Sequence, residues 1–181
     1  MSPKVTVIIP CYNSEKFVAE CVLSAVTQTY ENLEVIAVDN ESTDNTMAIL
    51  QAMTEHHDNL IISSAKNIYP NCWDEARAEG YRLMTGDYVT VIGSDDLIEK
   101  DYVKNCIEII QKSKGTIRAF QSIAMGFKDH PRGKVRTGLI EYRYENREQF
   151  MSQSLQRCVV NSPSVFYDAS LHEMGLLETF P

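Results

Sequence analysis

Two adjacent carboxylates, Asp95 and Asp96, follow an apolar run rich in β-branched residues that ends at Ile92. Such a run is typical of a buried strand, so both acids are expected at a strand end. Neighbouring negative charges repel each other unless a positive charge lies beside them. Because hard carboxylate oxygens suit Mg²⁺ or Mn²⁺, the pair predicts a site for a divalent cation. The alternative is a pair of solvated aspartates in a turn before a helix.

Polar side chains also follow two predicted strands earlier in the chain, at Pro10-Cys11-Tyr12-Asn13 and at Asp39-Asn40-Glu41-Ser42. Ligands of open parallel sheets bind outside the carboxyl ends of the strands, so the three clusters converge on one crevice if their strands are neighbours. No Gly-x-Gly-x-x-Gly motif and no P-loop is present, which excludes the two common phosphate-binding loops. A nucleotide could still be held by side chains, with Asp or Asn at the base edge and Tyr12 beside its ring.

Strands alternate with helices over the first 112 residues, which predicts an α/β fold with a mainly parallel sheet covered on both faces. The predicted strands span residues 5–9, 33–38, 60–63 and 88–92, and the helices that follow them end near residues 26, 56, 84 and 112. Pro10 is expected to break the first strand because it cannot donate in a ladder. Asn13 or Ser14 is expected to cap the first helix, and Trp73 to face the core on one helix face with Ala76.

From residue 114 onward this alternation ends. Strands are predicted at residues 117–125, 139–144 and 164–167, with a polar loop at 126–138 and a helix at 146–156. The strand at 139–144 is expected to be antiparallel. The simplest organisation is one domain over residues 1–181, in which the C-terminal half adds a short antiparallel extension to the central sheet.

The 181 residues carry a net charge of −8 with a pI near 5.0. No stripe of Lys or Arg is visible, so nucleic acid is excluded as a partner. An acidic protein that binds an anionic small molecule needs a local cation, which again favours one at the acidic pair. Five scattered cysteines indicate buried thiols in a reducing compartment. With no signal peptide and no apolar run of about 18 residues, the chain is expected in the cytoplasm.

Three sequence blocks occur in a characteristic order: Val-Ile-Ile-Pro-Cys-Tyr-Asn at 7–13, Val-Asp-Asn-Glu-Ser-Thr-Asp at 38–44, and Gly-Asp-Tyr-Val at 86–89 with Ser-Asp-Asp at 94–96. Their content, order and spacing resemble the family 2 glycosyltransferases, whose GT-A fold is a Rossmann-like three-layer sandwich. The resemblance covers about the first 110 residues. It implies a nucleotide-sugar-binding half at residues 1–113 and the start of an acceptor-binding half at residues 114–181.

The resemblance also implies roles for individual residues. Tyr12 would border the nucleotide base, while Asp39 and Asn40 would recognise the base and the ribose. Asp96 would bind Mg²⁺ or Mn²⁺ on the diphosphate, with Asp95 at the ribose or at the metal. The full set implied to bind the nucleotide sugar is Pro10, Tyr12, Asn13, Asp39, Asn40, Arg77 and Asp95. The alternatives left open are a surface ion pair for Arg77 and a helix-entry cap for Asp39.

The implied reaction is transfer of a sugar, with inversion, from a nucleotide-diphosphate sugar to a saccharide or lipid-linked acceptor in cell-surface polysaccharide or glycolipid synthesis. A lipid-linked acceptor would allow peripheral association with the inner face of the membrane. Inverting members use a carboxylate base on the acceptor hydroxyl, and this base is expected beyond Pro181. The alternative is a catalytically incomplete nucleotide-sugar-binding domain that lacks the base. A pure interaction module would explain none of the strand-end carboxylates.

Overall fold

The computed structural model of the protein describes residues 2–68, 72–114, 117–121 and 165–173. Its elements, in chain order, are β1 (Val5–Cys11), α1 (Val18–Val26), β2 (Leu33–Asp39), α2 (Thr46–Thr54), β3 (Leu60–Ser64), α3 (Cys72–Leu83), β4 (Tyr88–Val91), α4 (Tyr102–Lys112), β5 (Ala119–Gln121), β6 (Val165–Asp168) and α5 (Ser170–Glu173). The elements that we predicted between residues 126 and 156 lie outside the described residues. No described helix is long and apolar enough to cross a membrane.

The strands form one sheet with the order β3-β2-β1-β4-β6-β5. The first four are parallel, whereas β6 pairs antiparallel with β4 and β5 pairs antiparallel with β6. The predicted α/β fold, with a mainly parallel sheet and a short antiparallel extension, is therefore confirmed. The chain proceeds outward from β1 to β3 and then returns to place β4 on the other side of β1. The switch point of the sheet consequently lies between β1 and β4.

Helices cover both faces of the sheet because successive apolar residues of each strand point to opposite faces. Val7 and Ile9 of β1 belong to the core beneath α1, α2 and α4, whereas Ile8 faces the opposite side. There α3 approaches so closely that a Cβ on Gly80 would overlap the side chain of Ile8. The apolar side of α4 is buried and consists of Val103, Cys106, Ile107 and Ile110.

The prediction that Pro10 breaks the first strand is wrong, since β1 continues through Cys11. The Cys11 carbonyl accepts the Asn40 N–H on the β2 side, so the backbone of Pro10 faces the β4 side. The ladder with β4 has already ended there, because Ile8 pairs with the last β4 residue, Val91. The missing N–H of proline therefore costs no hydrogen bond within the sheet.

The predicted cap of the first helix is also wrong. α1 begins at Val18, the residue at its N-cap position is Phe17, and no side-chain hydrogen bond caps this end of the helix. The carbonyl of Ser14 instead accepts the N–H groups of Phe17 and Val18, each at 2.9 Å. At the start of α2, by contrast, Oδ1 of Asp44 accepts the N–H of Thr46 at 3.0 Å, as expected of an acid in that position.

An ion pair between a buried glutamate and a partly exposed lysine, with its hydrogen bonds, holds the amino-terminal ends of the strands. Glu34 on β2 is 5% exposed, and its carboxylate lies 2.6 Å from Nζ of Lys4. It also accepts hydrogen bonds from the Thr6 hydroxyl and from both the N–H and the hydroxyl of Thr85. Burial opposes ionisation, but the donors outweigh it and hold the pKa of Glu34 below its usual value.

We expect Glu34→Gln to lower the free energy of unfolding at pH 7 by about 2 kcal/mol, because Lys4 loses its counter-charge and an amide replaces an acceptor. Since the folded pKa is lowered, this stabilisation is complete above the unfolded pKa of about 4.3 and disappears as pH falls through the folded pKa. Urea unfolding at several pH values measures both effects. Glu31→Gln, at an exposed position, is the matched control. Equal stability of the two variants would contradict the prediction.

Candidate functional site

Buried hydroxyl groups join the segments that follow β1, β2 and β4. Oγ of Ser14, just after β1, lies 2.6 Å from Oγ of Ser94, just after β4. The N–H of Ser14 donates to Oγ1 of Thr46, where the segment after β2 enters α2, at 2.8 Å. All three residues are buried. Ser14 therefore holds the three predicted clusters in one arrangement.

Asn13 provides a second connection between the segments after β1 and β2. Its φ of 47° lies in the left-handed region, which Asn tolerates better than most residues. Its N–H donates to Oγ of Ser42 at 3.0 Å, and its Oδ1 accepts the N–H of Thr43 at 2.8 Å. The side-chain oxygen of Asn13 is thus used to hold the loop after β2.

Asp39, at the end of β2, is a buried acid, and only one of its two oxygens has a described hydrogen-bond partner. It is 4% exposed, and its Oδ2 accepts the N–H of Ser42 at 3.1 Å. Ser42 lies in the loop before α2, so this contact is not a helix cap. Oδ1 of Asp39 has no hydrogen-bond partner among the described residues. Leaving a buried carboxylate oxygen unpaired is costly, which indicates a position prepared for a donor group.

The effect of this acid is visible at the neighbouring strand. Burial raises the pKa of the Cys11 thiol to about 12, and the negative charge of Asp39 contributes to the increase. Cys11, Cys21 and Cys106 are buried free thiols, as the sequence predicts.

The carboxylates of the acidic pair, Asp95 and Asp96, lie close to Gly93. The N–H of Gly93 donates to Oδ2 of Asp96 at 3.2 Å, and its carbonyl accepts the N–H of Asp96 at 3.0 Å. A Cβ on Gly93 would lie 2.9 Å from Oδ2 of Asp96 and 3.0 Å from Oδ1 of Asp95. Both carboxylates therefore converge on the space that the missing side chain leaves open.

The pair fits a divalent cation that is shared with a ligand. Although the side chain of Asp96 reaches solvent, partial burial raises its pKa above the usual value, and the charge of Asp95 raises it further. In the part of the chain that is described, no third His, Cys, Asp or Glu completes a metal-binding cluster. Two carboxylates are nevertheless sufficient for Mg²⁺ or Mn²⁺ when phosphate oxygens and water complete the coordination.

A small pocket, open to solvent, lies beside these segments and is lined by Pro10, Cys11, Tyr12, Asn40, Trp73 and Ala76. The structure thus places three predicted site residues, Pro10, Tyr12 and Asn40, around one space. It also adds Trp73, for which the helical spacing predicted a position in the core. That prediction is wrong, because Trp73 is 55% exposed.

The position of α3 explains why Trp73 is exposed. Farther along the helix, Gly80 packs on Ile8, and one turn earlier Ala76 packs with Val38 near the end of β2. Trp73 comes almost one turn earlier again, so it extends past the strand ends into the crevice. Helical spacing predicted its face correctly, but where the sheet ends beneath that face depends on the packing of α3 against the strands.

Arg77 follows Ala76 on α3, but its described contacts are not with the acidic pair. Nη1 of Arg77 lies 3.9 Å from Oδ1 of Asp74, one helical turn away. Its positive charge lowers the pKa of Tyr167, although burial, the largest cause, keeps that pKa well above the usual value. Nε of Arg77 is buried and has no hydrogen-bond partner among the described residues.

Comparison with known proteins identifies the family of this chain. The family model described as Glycosyl transferase family 2 matches residues 6–173. The chain belongs to this family. Chondroitin synthase from Escherichia coli is 37% identical over 110 residues, which cover 61% of this chain but only 16% of that protein. The similarity therefore concerns a small part of a much longer relative.

Solved structures share the GT-A fold. S. aureus TarS (residues 1–349) aligns with a TM-score of 0.72 and 25% identity, covering 98% of this chain and 50% of that chain. TarS in complex with UDP-GlcNAc aligns with a TM-score of 0.72 and 23% identity, covering 98% and 48%. A mannosyltransferase from Pyrobaculum calidifontis, in complex with GDP-Man and Mn²⁺, aligns with a TM-score of 0.69 and 21% identity, covering 100% and 48%. Our chain, as a member of family 2, spans about half the length of each of these three solved chains.

The geometry around Gly93 predicts the effect of adding one methyl group there. We expect Gly93→Ala to displace the carboxylates of Asp95 and Asp96, because the added methyl group would overlap both. Mn²⁺-dependent nucleotide binding should weaken about tenfold or more, which corresponds to a loss of about 1.4 kcal/mol. Thermal stability should change little, because both carboxylates reach solvent. Calorimetric titration with Mn²⁺ present measures the affinity. Unchanged affinity would show that these carboxylate positions are unimportant for binding.

Proposed function

We propose that this protein transfers a sugar from a nucleotide-diphosphate sugar to a saccharide or lipid-linked acceptor, with inversion and with the help of Mg²⁺ or Mn²⁺. The observation that carries the proposal is the meeting of three strand-end segments. They bring Asp39, a buried acid with one oxygen that no described residue pairs, and an acidic pair, Asp95 and Asp96, to one edge of the sheet.

In this proposal the nucleotide lies across the ends of β1 and β2. Pro10 and Tyr12 border the base, and Asn13 belongs to the same nucleotide-sugar-binding set. Oδ1 of Asp39, which no described residue pairs, accepts an N–H from the base, while Asn40 contacts the base or the ribose. Such an acceptor is specific, because a buried carboxylate oxygen that stays unpaired is unfavourable.

The diphosphate lies toward the end of β4. Breaking the sugar–phosphate bond leaves negative charge on the departing nucleoside diphosphate. A divalent cation would supply positive charge to that group, with a stabilisation of several kcal/mol. Asp96, with Asp95, would hold the cation, and Arg77 would assist at the diphosphate or the sugar. The general base for the acceptor hydroxyl is not assigned to a described residue.

Relatives support the proposed substrates and pathway. TarS and the P. calidifontis mannosyltransferase are solved with UDP-GlcNAc and with GDP-Man plus Mn²⁺, respectively. The name chondroitin synthase places one relative in polysaccharide synthesis. We propose a role in polysaccharide or glycolipid synthesis in the cytoplasm, at the inner face of the membrane where the acceptor is lipid-linked. The buried free thiols of Cys11, Cys21 and Cys106 are compatible with this reducing compartment.

Calorimetric titration with UDP, GDP and dTDP, each with Mn²⁺ and then with a chelator, tests the proposal. At least one diphosphate should bind in the presence of Mn²⁺, and Asp96→Asn should abolish that binding while the fold stays intact. Because the pKa of Asp96 is raised, protonation should compete with the cation at a higher pH than for an ordinary aspartate, and binding should weaken on acidification.

Glu20→Gln is the matched control for this experiment, because it removes one negative charge from an exposed position of α1. It should bind as the wild type does. If none of the three diphosphates binds in a cation-dependent manner, the proposal is wrong. If Asp96→Asn loses stability but still binds, Asp96 has a structural role instead. Turnover assays with nucleotide sugars then distinguish an active enzyme from a domain that only binds the donor.

Asp39 should affect binding and stability in opposite directions. We expect Asp39→Ala to weaken nucleotide binding by about 1–3 kcal/mol, the typical effect of unpairing one buried polar group. Asp39→Asn should also weaken binding, yet it should raise the thermal stability of the free protein, because it removes a buried charge with one oxygen that no described residue pairs. Calorimetry and thermal unfolding measure the two effects. Unchanged nucleotide affinity in both variants would remove Asp39 from the site.

A further inference from the structure

Two exposed aromatic side chains lie around the pocket. Tyr12, just after β1, is 44% exposed, and Trp73, in the first turn of α3, is 55% exposed. In the part of the chain that is described, neither ring contacts another ring. Large aromatic surfaces gain much from leaving water. Two such side chains on different elements, bordering one space, therefore favour a flat ligand with apolar faces.

Polar groups stand at the same place. Asn40, which is 2% exposed, lines the pocket together with the two aromatic residues. Its neighbour Asp39 has a buried oxygen without a described partner. A nucleobase combines two apolar faces with a hydrogen-bonding edge, whereas a sugar carries hydroxyl groups around its ring. The chemistry of the pocket therefore matches a base better than a sugar.

We propose that Trp73 is a donor-binding residue that contacts the face of the donor's nucleobase, with Tyr12 bordering the same base. This inference rests on the proposed function and adds to it a residue that helical spacing alone assigns to the core. It also gives the exposure of Trp73 a physical reason. The indole extends past the end of the sheet, so no described strand lies beneath it there. The base would pack against the indole at this position.

The composition of the chain makes the inference directly measurable. Trp73 is the single tryptophan, so selective excitation of tryptophan reports on this residue alone. In the presence of Mn²⁺, each of UDP, GDP and dTDP that binds in calorimetry should change the Trp73 emission of the full chain with the same midpoint as its calorimetric binding curve. Pyrophosphate and ribose 5-phosphate, which lack a base, should leave the emission unchanged.

Substitutions supply the energetic part of the test. Contacts between a base and an aromatic residue are typically worth about 1–3 kcal/mol, which corresponds to roughly a 5- to 150-fold change in affinity. We expect Trp73→Leu to weaken binding of the nucleoside diphosphate within this range while pyrophosphate binding stays unchanged. Trp73→Phe should retain most of the affinity. Phe17→Leu is the control, because Phe17 is 54% exposed at the start of α1 and is not part of the pocket lining.

Each outcome has a distinct meaning. If no diphosphate binds the wild type, the proposed function and this inference are both wrong. If a diphosphate binds the wild type and Trp73→Leu equally well, only the inference is wrong. An equal emission change with pyrophosphate would show that Trp73 responds to the phosphates rather than to the base. Unchanged donor binding in Trp73→Leu with impaired transfer would assign the indole to the acceptor instead.

Discussion

The position of β1 between β2 and β4 determines where the chemistry of this protein lies. Because β1 and β2 are parallel and Cys11 pairs with Asp39, the polar residues after both strands emerge at the same level. β4 ends opposite Ile8, so the chain that follows it crosses the same edge and brings Ser94 next to Ser14. Three segments that are distant in sequence thus meet because of the strand order.

Ser14 converts this proximity into a defined geometry. Its N–H donates to the hydroxyl of Thr46, and its own hydroxyl contacts that of Ser94. Its carbonyl accepts the N–H groups of Phe17 and Val18 where α1 begins. Buried hydroxyl groups are unfavourable unless they are hydrogen-bonded, so the three segments cannot separate without exposing or unpairing them. The side that carries Asp39 and the side that carries the acidic pair are therefore held by one network. A ligand that reaches both sides meets a site that is already organised.

Sequence patterns predict the strands well, together with the meeting of the polar segments that follow them, because apolar runs followed by polar clusters are strong local signals. The errors occur where a neighbouring element decides the outcome. Pro10 continues a strand because the adjacent β4 has already ended, and Trp73 is exposed because α3 extends past the sheet. Asn13 holds a loop instead of capping a helix, because its left-handed backbone directs it toward the segment after β2. None of these partners is visible from local spacing.

The two acids of β2 show how stability and binding are separated within one strand. Glu34 and Asp39 are almost equally buried, at 5% and 4% exposure, near opposite ends of the strand. Glu34 faces a lysine and three hydrogen-bond donors, and its lowered pKa follows from them. Asp39 has one described backbone donor on one oxygen and none on the other. A buried carboxylate whose described pairing is incomplete is unfavourable in the free protein. Such residues concentrate where a ligand completes the pairing. The contrast within a single strand is the strongest physical reason to look for the ligand at the carboxyl end of the sheet.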